Sequence, residues 1–164
     1  MKTYIGDSKL EGKGTFAKHL LKKSEHIKTL SGEIITLDEV WKRIENSEEN
    51  YDDPLNLNEE LFLDLDEPSR QINHSCNPNA GMRGQSELFA IRDINPNEEI
   101  TYDYSTTVGT HIPSEIWHMK CNCGEKNCRK VIANVLSIPK KQLEEYKKLG
   151  ALQDYIFKQL KSTK

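Results

Sequence analysis

Apolar residues along this chain come in short groups separated by turn formers. "TYIGDSKLEGKGTFAKHL" (residues 3–20) sets apolar positions around a Gly-x-Gly turn at Gly12 to Gly14, which predicts two short strands. "HIKTLSGEIITL" (26–37) predicts a strand, a turn at Ser31-Gly32 and a second strand. In "LDEVWKRIENSE", Leu37, Val40, Trp41 and Ile44 recur at helical spacing. "LFLDLDE" alternates and reads as a strand crowded with acids; "SELFAIRDI" reads as another. "NPNEEITYDYS" gives a turn and then a short strand ending at Tyr104. After "IPKK", Leu143, Tyr146 and Leu149 precede Gly150, and Leu152, Tyr155, Ile156 and Leu160 follow it. That pattern predicts two helices, with Gly150 stopping the first. The class that emerges is mainly β, built of short strands, with helices at the C-terminal flank.

A chain of 164 residues is long enough for one domain with its own core. Mean hydropathy is -0.74 and 30% of residues are charged, so a well-solvated surface is expected. No run is apolar enough to span a membrane, and the N-terminus lacks the apolar core of a signal peptide. Those features predict an intracellular protein without membrane attachment, cytoplasmic in a prokaryote and nuclear or cytoplasmic in a eukaryote. A net charge of -3 argues against direct nucleic-acid binding by the chain as a whole. The charge is uneven, however. From Glu45 to Glu67 there are many carboxylates and no Lys or Arg, while the chain from Lys120 onward is basic. The acidic run is read first as a solvated face and second as a docking surface for a basic peptide.

Four cysteines in such a chain point to metal or catalysis more than to disulfides. Cys121, Cys123 and Cys128 follow C-x-C-x4-C, with Gly124 and Asn127 allowing tight turns between them. A disulfide across Cys121 and Cys123 would be strained, so zinc is the favoured reading. Three ligands leave a fourth position for water, His111, His118 or Cys76. Cys76 as a nucleophile is disfavoured, because His74 is too near in sequence for the usual convergent arrangement of base and thiol.

"RQINHSCNPN" (70–79) resembles the asparagine-histidine signature of SET-domain protein-lysine methyltransferases. "EEITYDYS" (98–105) is similar to that family's tyrosine motif, "EGKGTFA" (11–17) to its opening G-x-G, and "SGEIIT" (31–36) to its Y-x-G-E segment. "CNCGEKNC" resembles its post-SET zinc motif, and all five fall in the family's order. The resemblance implies a knot-like fold in which the two central motifs pass through each other's loop. It divides the chain into a SET domain over 1–110, a post-SET segment over 111–132 and a helical extension over 133–164. It implies Cys76 as the fourth ligand, with Cys121, Cys123 and Cys128, of one structural zinc.

The activity implied is methyl transfer from S-adenosylmethionine to a lysine of a basic, histone-like protein. A free lysine must lose its proton first, which costs about 4 kcal/mol near neutral pH; an apolar channel and a nearby sulfonium lower that cost. By the resemblance, Tyr104 orients the amine and the methyl group and also touches the donor. Tyr102 restricts the product to monomethyl-lysine. Asn73, His74 and Arg70 contact the donor, and Gly12, Lys13 and Gly14 let the backbone approach it. Three departures bear on the substrate and donor sites: Leu30 stands at the tyrosine of Y-x-G-E, Gln71 replaces a Phe, and Asn122 fills a position that can carry an apolar cofactor contact. The alternative reading is a catalytically weak, zinc-stabilised SET-like module that binds basic peptides.

Overall fold

A computed structural model describes residues 1–46 and 53–162. The N-terminal half contains β1 (Thr3–Asp7), β2 (Lys13–Ala17), β3 (His26–Thr29), β4 (Gly32–Thr36), α1 (Leu37–Glu45), β5 (Leu55–Asn56) and β6 (Leu61–Leu65). There follow α2 (Glu67–Arg70), β7 (Ala80–Arg83), β8 (Glu87–Ala90), β9 (Glu99–Ile100), β10 (Met119–Lys120) and β11 (Val131–Ile132). Helices α3 (Lys140–Leu149) and α4 (Asp154–Ser162) complete the described chain. The strands form small antiparallel sheets in the orders β1-β2-β9, β3-β8-β7 and β4-β6-β5, with β10 and β11 as a separate pair. The mainly β class with C-terminal helices is therefore the observed one.

One apolar core joins the three larger sheets. Leu21, Ile72, Met82, Leu88, Ile94 and Ile100 are fully buried in it. Leu30 belongs to this core and does not reach the clefts described below. A second cluster packs Phe89 of β8 against Val135, Tyr146, Leu152 and Ile156. The helical extension thus shares its core with the sheets. Gly81 makes the approach possible, because a Cβ there would stand 2.6 Å from the Cβ of Ala151.

Local chemistry sets the helix ends. Thr36 caps α1, accepting the Glu39 N–H on its Oγ1 at 3.3 Å. Gly150 ends α3 at φ +66°, a left-handed conformation that disfavours a side chain, as its position in the sequence predicts. Two carboxylates of the acidic run, Asp64 and Asp66, serve internal contacts. Arg43 on α1 binds Glu33 at 2.8 Å, Glu39 at 3.1 Å and also Asp64. Asp66 caps α2 through the Ser69 N–H at 3.0 Å. Residues 47–52 of that run lie outside the described residues.

Candidate active site

The segments around Asn73 and Tyr102 run side by side. His74 and Tyr102 form a parallel bridge. The Tyr102 N–H donates to the Asn73 carbonyl at 3.3 Å, and the Ser75 N–H to the Tyr102 carbonyl at 3.2 Å. The Tyr104 phenol donates to the Ile72 carbonyl at 2.8 Å, and its backbone N–H to Nδ1 of His74 at 3.2 Å. The expected strand does not extend to Tyr104. β9 stops at Ile100, and Tyr104 opens a short 3₁₀ helix to Thr107. Asp103 causes the change: its carboxylate accepts the Ser105 N–H at 3.1 Å, which competes with a strand ladder. The rings of Tyr102 and Tyr104 still lie together, with centroids 4.8 Å apart.

Two clefts meet at Tyr104, which lines both. One, of about 190 Å³, is polar and is walled by Leu10, Glu11, Arg70, Asn73, His74 and the segment around Asn122. The other, of about 200 Å³, is apolar and runs between α1 and residues 112–117, with Tyr102 in its wall. Burial pushes the Tyr102 phenol well above its ordinary pKa, so it stays protonated.

Asn73 organises the polar cleft. Its Nδ2 donates to the carbonyls of Glu11 and Lys13, each at 3.0 Å, and lies 2.8 Å from Oε1 of Glu99. Ser8 donates to the same carboxylate at 2.8 Å. Gly14 leaves the room that this carboxylate needs, since a Cβ there would stand 2.4 Å from it. Gly12 takes φ +49°, which the turn requires. The Lys13 ammonium turns to Asp7 at 2.6 Å. From this turn the cleft receives Leu10 and Glu11, which sequence reasoning did not single out; their place depends on the β1–β2 register. Arg70 faces the cleft and also pairs with Asp64 and, at 3.8 Å, with Asp53.

His74 is a buried, neutral imidazole. Burial and the Arg129 charge push its pKa down to about 3. Because Nδ1 accepts the Tyr104 N–H, the ring proton sits on Nε2, which lies 3.3 Å from Sγ of Cys76. A nitrogen that donates to this sulfur cannot take its proton, so His74 is not a base for Cys76.

Sγ atoms of Cys76, Cys121, Cys123 and Cys128 all lie within 4.8 Å of one another, and Cys76 is 3.7 Å from Cys121. Four zinc–sulfur bonds of about 2.3 Å in a tetrahedron set sulfurs about 3.8 Å apart, so this donor set fits zinc. None of the four is in a disulfide. His111 and His118 are elsewhere: His111 borders the apolar cleft, and Nδ1 of His118 contacts the Ser114 carbonyl at 2.8 Å. Burial pushes the Cys76 thiol up, while the Arg129 N–H at 3.4 Å and its guanidinium favour the thiolate. Asn127 and Gln142 both donate to the Cys76 carbonyl, at 2.8 and 2.7 Å. Arg129 reaches on to Asp103 at 2.5 Å, and the Tyr146 hydroxyl donates to the other Asp103 oxygen at 3.2 Å. One buried network therefore links the cysteines, the tyrosine segment and α3.

This fold, with a tyrosine shared between a polar and an apolar cleft, defines the SET domain class. Residues 12–105 match the SET domain family, and the chain belongs to it. It is similar to an H3 lysine-9 specific histone-lysine N-methyltransferase of Fusarium mangiferae, at 31% identity over 68% of this chain and 43% of that protein. It is also similar to the histone-lysine N-methyltransferase Su(var)3-9 of Drosophila melanogaster, at 30% identity over 74% of this chain and 23% of that one. The chain thus spans less than half the length of either relative. Among solved structures, the methyltransferase domain of human SETMAR superposes with a TM-score of 0.61 at 24% identity, over 80% of this chain and 58% of that one.

Proposed function

We propose that this protein transfers methyl groups from S-adenosylmethionine to lysine side chains of a basic, histone-like protein. The observation that carries the reading is that Tyr104 lines both clefts. In this reading the polar cleft takes the donor and the apolar cleft takes the lysine. S-adenosylmethionine supplies a methyl group already activated on a cationic sulfur. The protein's own residues supply alignment and electrostatics. Leu10, Arg70, Asn73, His74 and Asn122 bind the donor, while the turn at Gly12, Lys13 and Gly14 holds Leu10 and Glu11 in its wall. Tyr104 and the Ile72 carbonyl beside it orient the incoming nitrogen. The apolar walls disfavour an ammonium, so the lysine arrives ready to lose its proton to solvent. Tyr102 fills the space a second methyl group would need, which favours monomethyl product.

Cys76, Cys121, Cys123 and Cys128 are proposed to hold one zinc ion. Four thiolates close its coordination, so its role is structural: it holds residues 119–123 as a wall of the donor cleft. Relatives that methylate histones support a nuclear location, and no described helix is long and apolar enough to cross a membrane.

Incubation with methyl-labelled S-adenosylmethionine and mixed core histones tests the reading. Label is expected on protein lysines. Donor binding without transfer to histones or to a basic protein extract would favour the alternative, a module that binds basic peptides without turnover.

A further inference from the structure

We propose that the apolar cleft selects lysines with a bulky apolar residue beside them in the substrate sequence. The inference rests on the methyltransferase reading and names the substrate class of its lysine side. The chain has two tryptophans, Trp41 and Trp117, and both line this cleft. Leu37, Trp41 and Ile116 are 41%, 44% and 57% exposed, and all three border it. Single exposed apolar side chains are ordinary, but convergence on one cleft from two separate segments marks a binding surface.

The cleft extends beyond what a lysine stem needs. The stem is accounted for by Tyr102 and Tyr104 at the junction. Trp41, Leu37 and Ile116 remain as a wall that is still partly exposed. A lysine flanked by glycine or serine leaves that wall wet. A neighbouring leucine or phenylalanine covers it. The charge pattern commits the occupant further. Among the described residues no Lys or Arg lines the cleft, while Glu59 and Asp53, the latter paired with Arg70, do, so a cationic peptide meets no facing cation there. The occupant is therefore an extended basic peptide that carries an apolar side chain next to its target lysine. Its continuity with Tyr104 distinguishes this cleft from a generic sticky patch.

The test uses the full chain and synthetic basic peptides with one lysine. Leu, Phe, Gly or Ser is placed singly at each of the two positions on either side. Leu or Phe at one or more positions is expected to raise kcat/KM about tenfold over Gly, the scale on which apolar pockets discriminate. In Trp41→Ala the Leu-to-Gly ratio should fall below threefold. A ratio below threefold at every position in the unaltered protein overturns the proposal. Peptide binding, followed by the fluorescence of Trp41 and Trp117, separates this inference from the one it rests on. Tighter binding of Leu peptides with no methylation keeps the specificity and removes the enzyme. Methylation of all peptides at equal kcat/KM does the reverse, and failure to bind or methylate any peptide overturns both.

Discussion

Tyr104 carries its phenol on the Ile72 carbonyl and its backbone on His74, so its ring has little freedom to turn. Phenylalanine keeps the ring and removes the hydroxyl. Tyr104→Phe is expected to lower kcat by about 100-fold or more, the usual cost of losing one oriented donor. Donor affinity, measured by calorimetry, should change less than about threefold, because the rest of the polar cleft is untouched. Equal losses in donor affinity and rate would make Tyr104 a packing residue instead. Tyr102→Phe should shift the product from monomethyl- toward di- and trimethyl-lysine in a mass spectrum, and an unchanged distribution would remove Tyr102 from product control. At this scale the sequence was informative where chemistry is local. The motif around Asn73 and Tyr104 and the spacing of Cys121, Cys123 and Cys128 named residues that the fold brings together. Glu99 was missed, because its place under Gly14 depends on how β9 pairs with β2.

The short 3₁₀ helix from Tyr104 to Thr107, the turn around Arg129 and α3 are held together by buried polar contacts. Asp103 is fully buried and Arg129 is 8% exposed in its side chain. Burial pushes the Asp103 carboxyl up, and Arg129, the Ser105 N–H and the Tyr146 hydroxyl oppose it. Removing the cation leaves a buried carboxyl without its counter-charge. Arg129→Ala is therefore expected to cost about 3–5 kcal/mol in a denaturant titration. Tyr146→Phe removes a single hydrogen bond and should cost about 1 kcal/mol. Equal costs would contradict the ranking. Elements with clear periodicity were legible here: α1, α3 and the Gly150 stop follow from apolar spacing. The strand expected to reach Tyr104 was wrong because Asp103 caps the following turn, a signal that Asp before Tyr-Ser-Thr-Thr does carry. β7 was missed because "AGMR" has no alternation, and its glycine is there to meet Ala151 far along the chain.

Across the whole molecule, the cysteine cluster ties the segment after Tyr104 back to the Asn73 turn. If zinc occupies it, metal and donor binding are coupled through that wall, although no atom need be shared. Removing the metal with a chelator, or Cys76→Ser, should release one zinc per chain by elemental analysis and weaken donor binding by about tenfold or more. Protein purified without metal that binds donor at full strength would refute the coupling. The sequence named the cysteines but not the joint they form with Gln142 and Tyr146, since that joint depends on how α3 packs against the sheets. The same holds for the apolar cleft, whose walls come from α1 and residues 112–117, distant in sequence.

The central claim is that a donor in the polar cleft and a lysine in the apolar cleft react at Tyr104. Tandem mass spectrometry of a single-turnover reaction with core histones tests it most directly. The account predicts one methyl group on a lysine nitrogen, formed with the unaltered protein and formed about 100-fold more slowly or not at all with Tyr104→Phe. Full methylation by Tyr104→Phe, or donor held by the protein with no lysine modified, would contradict it.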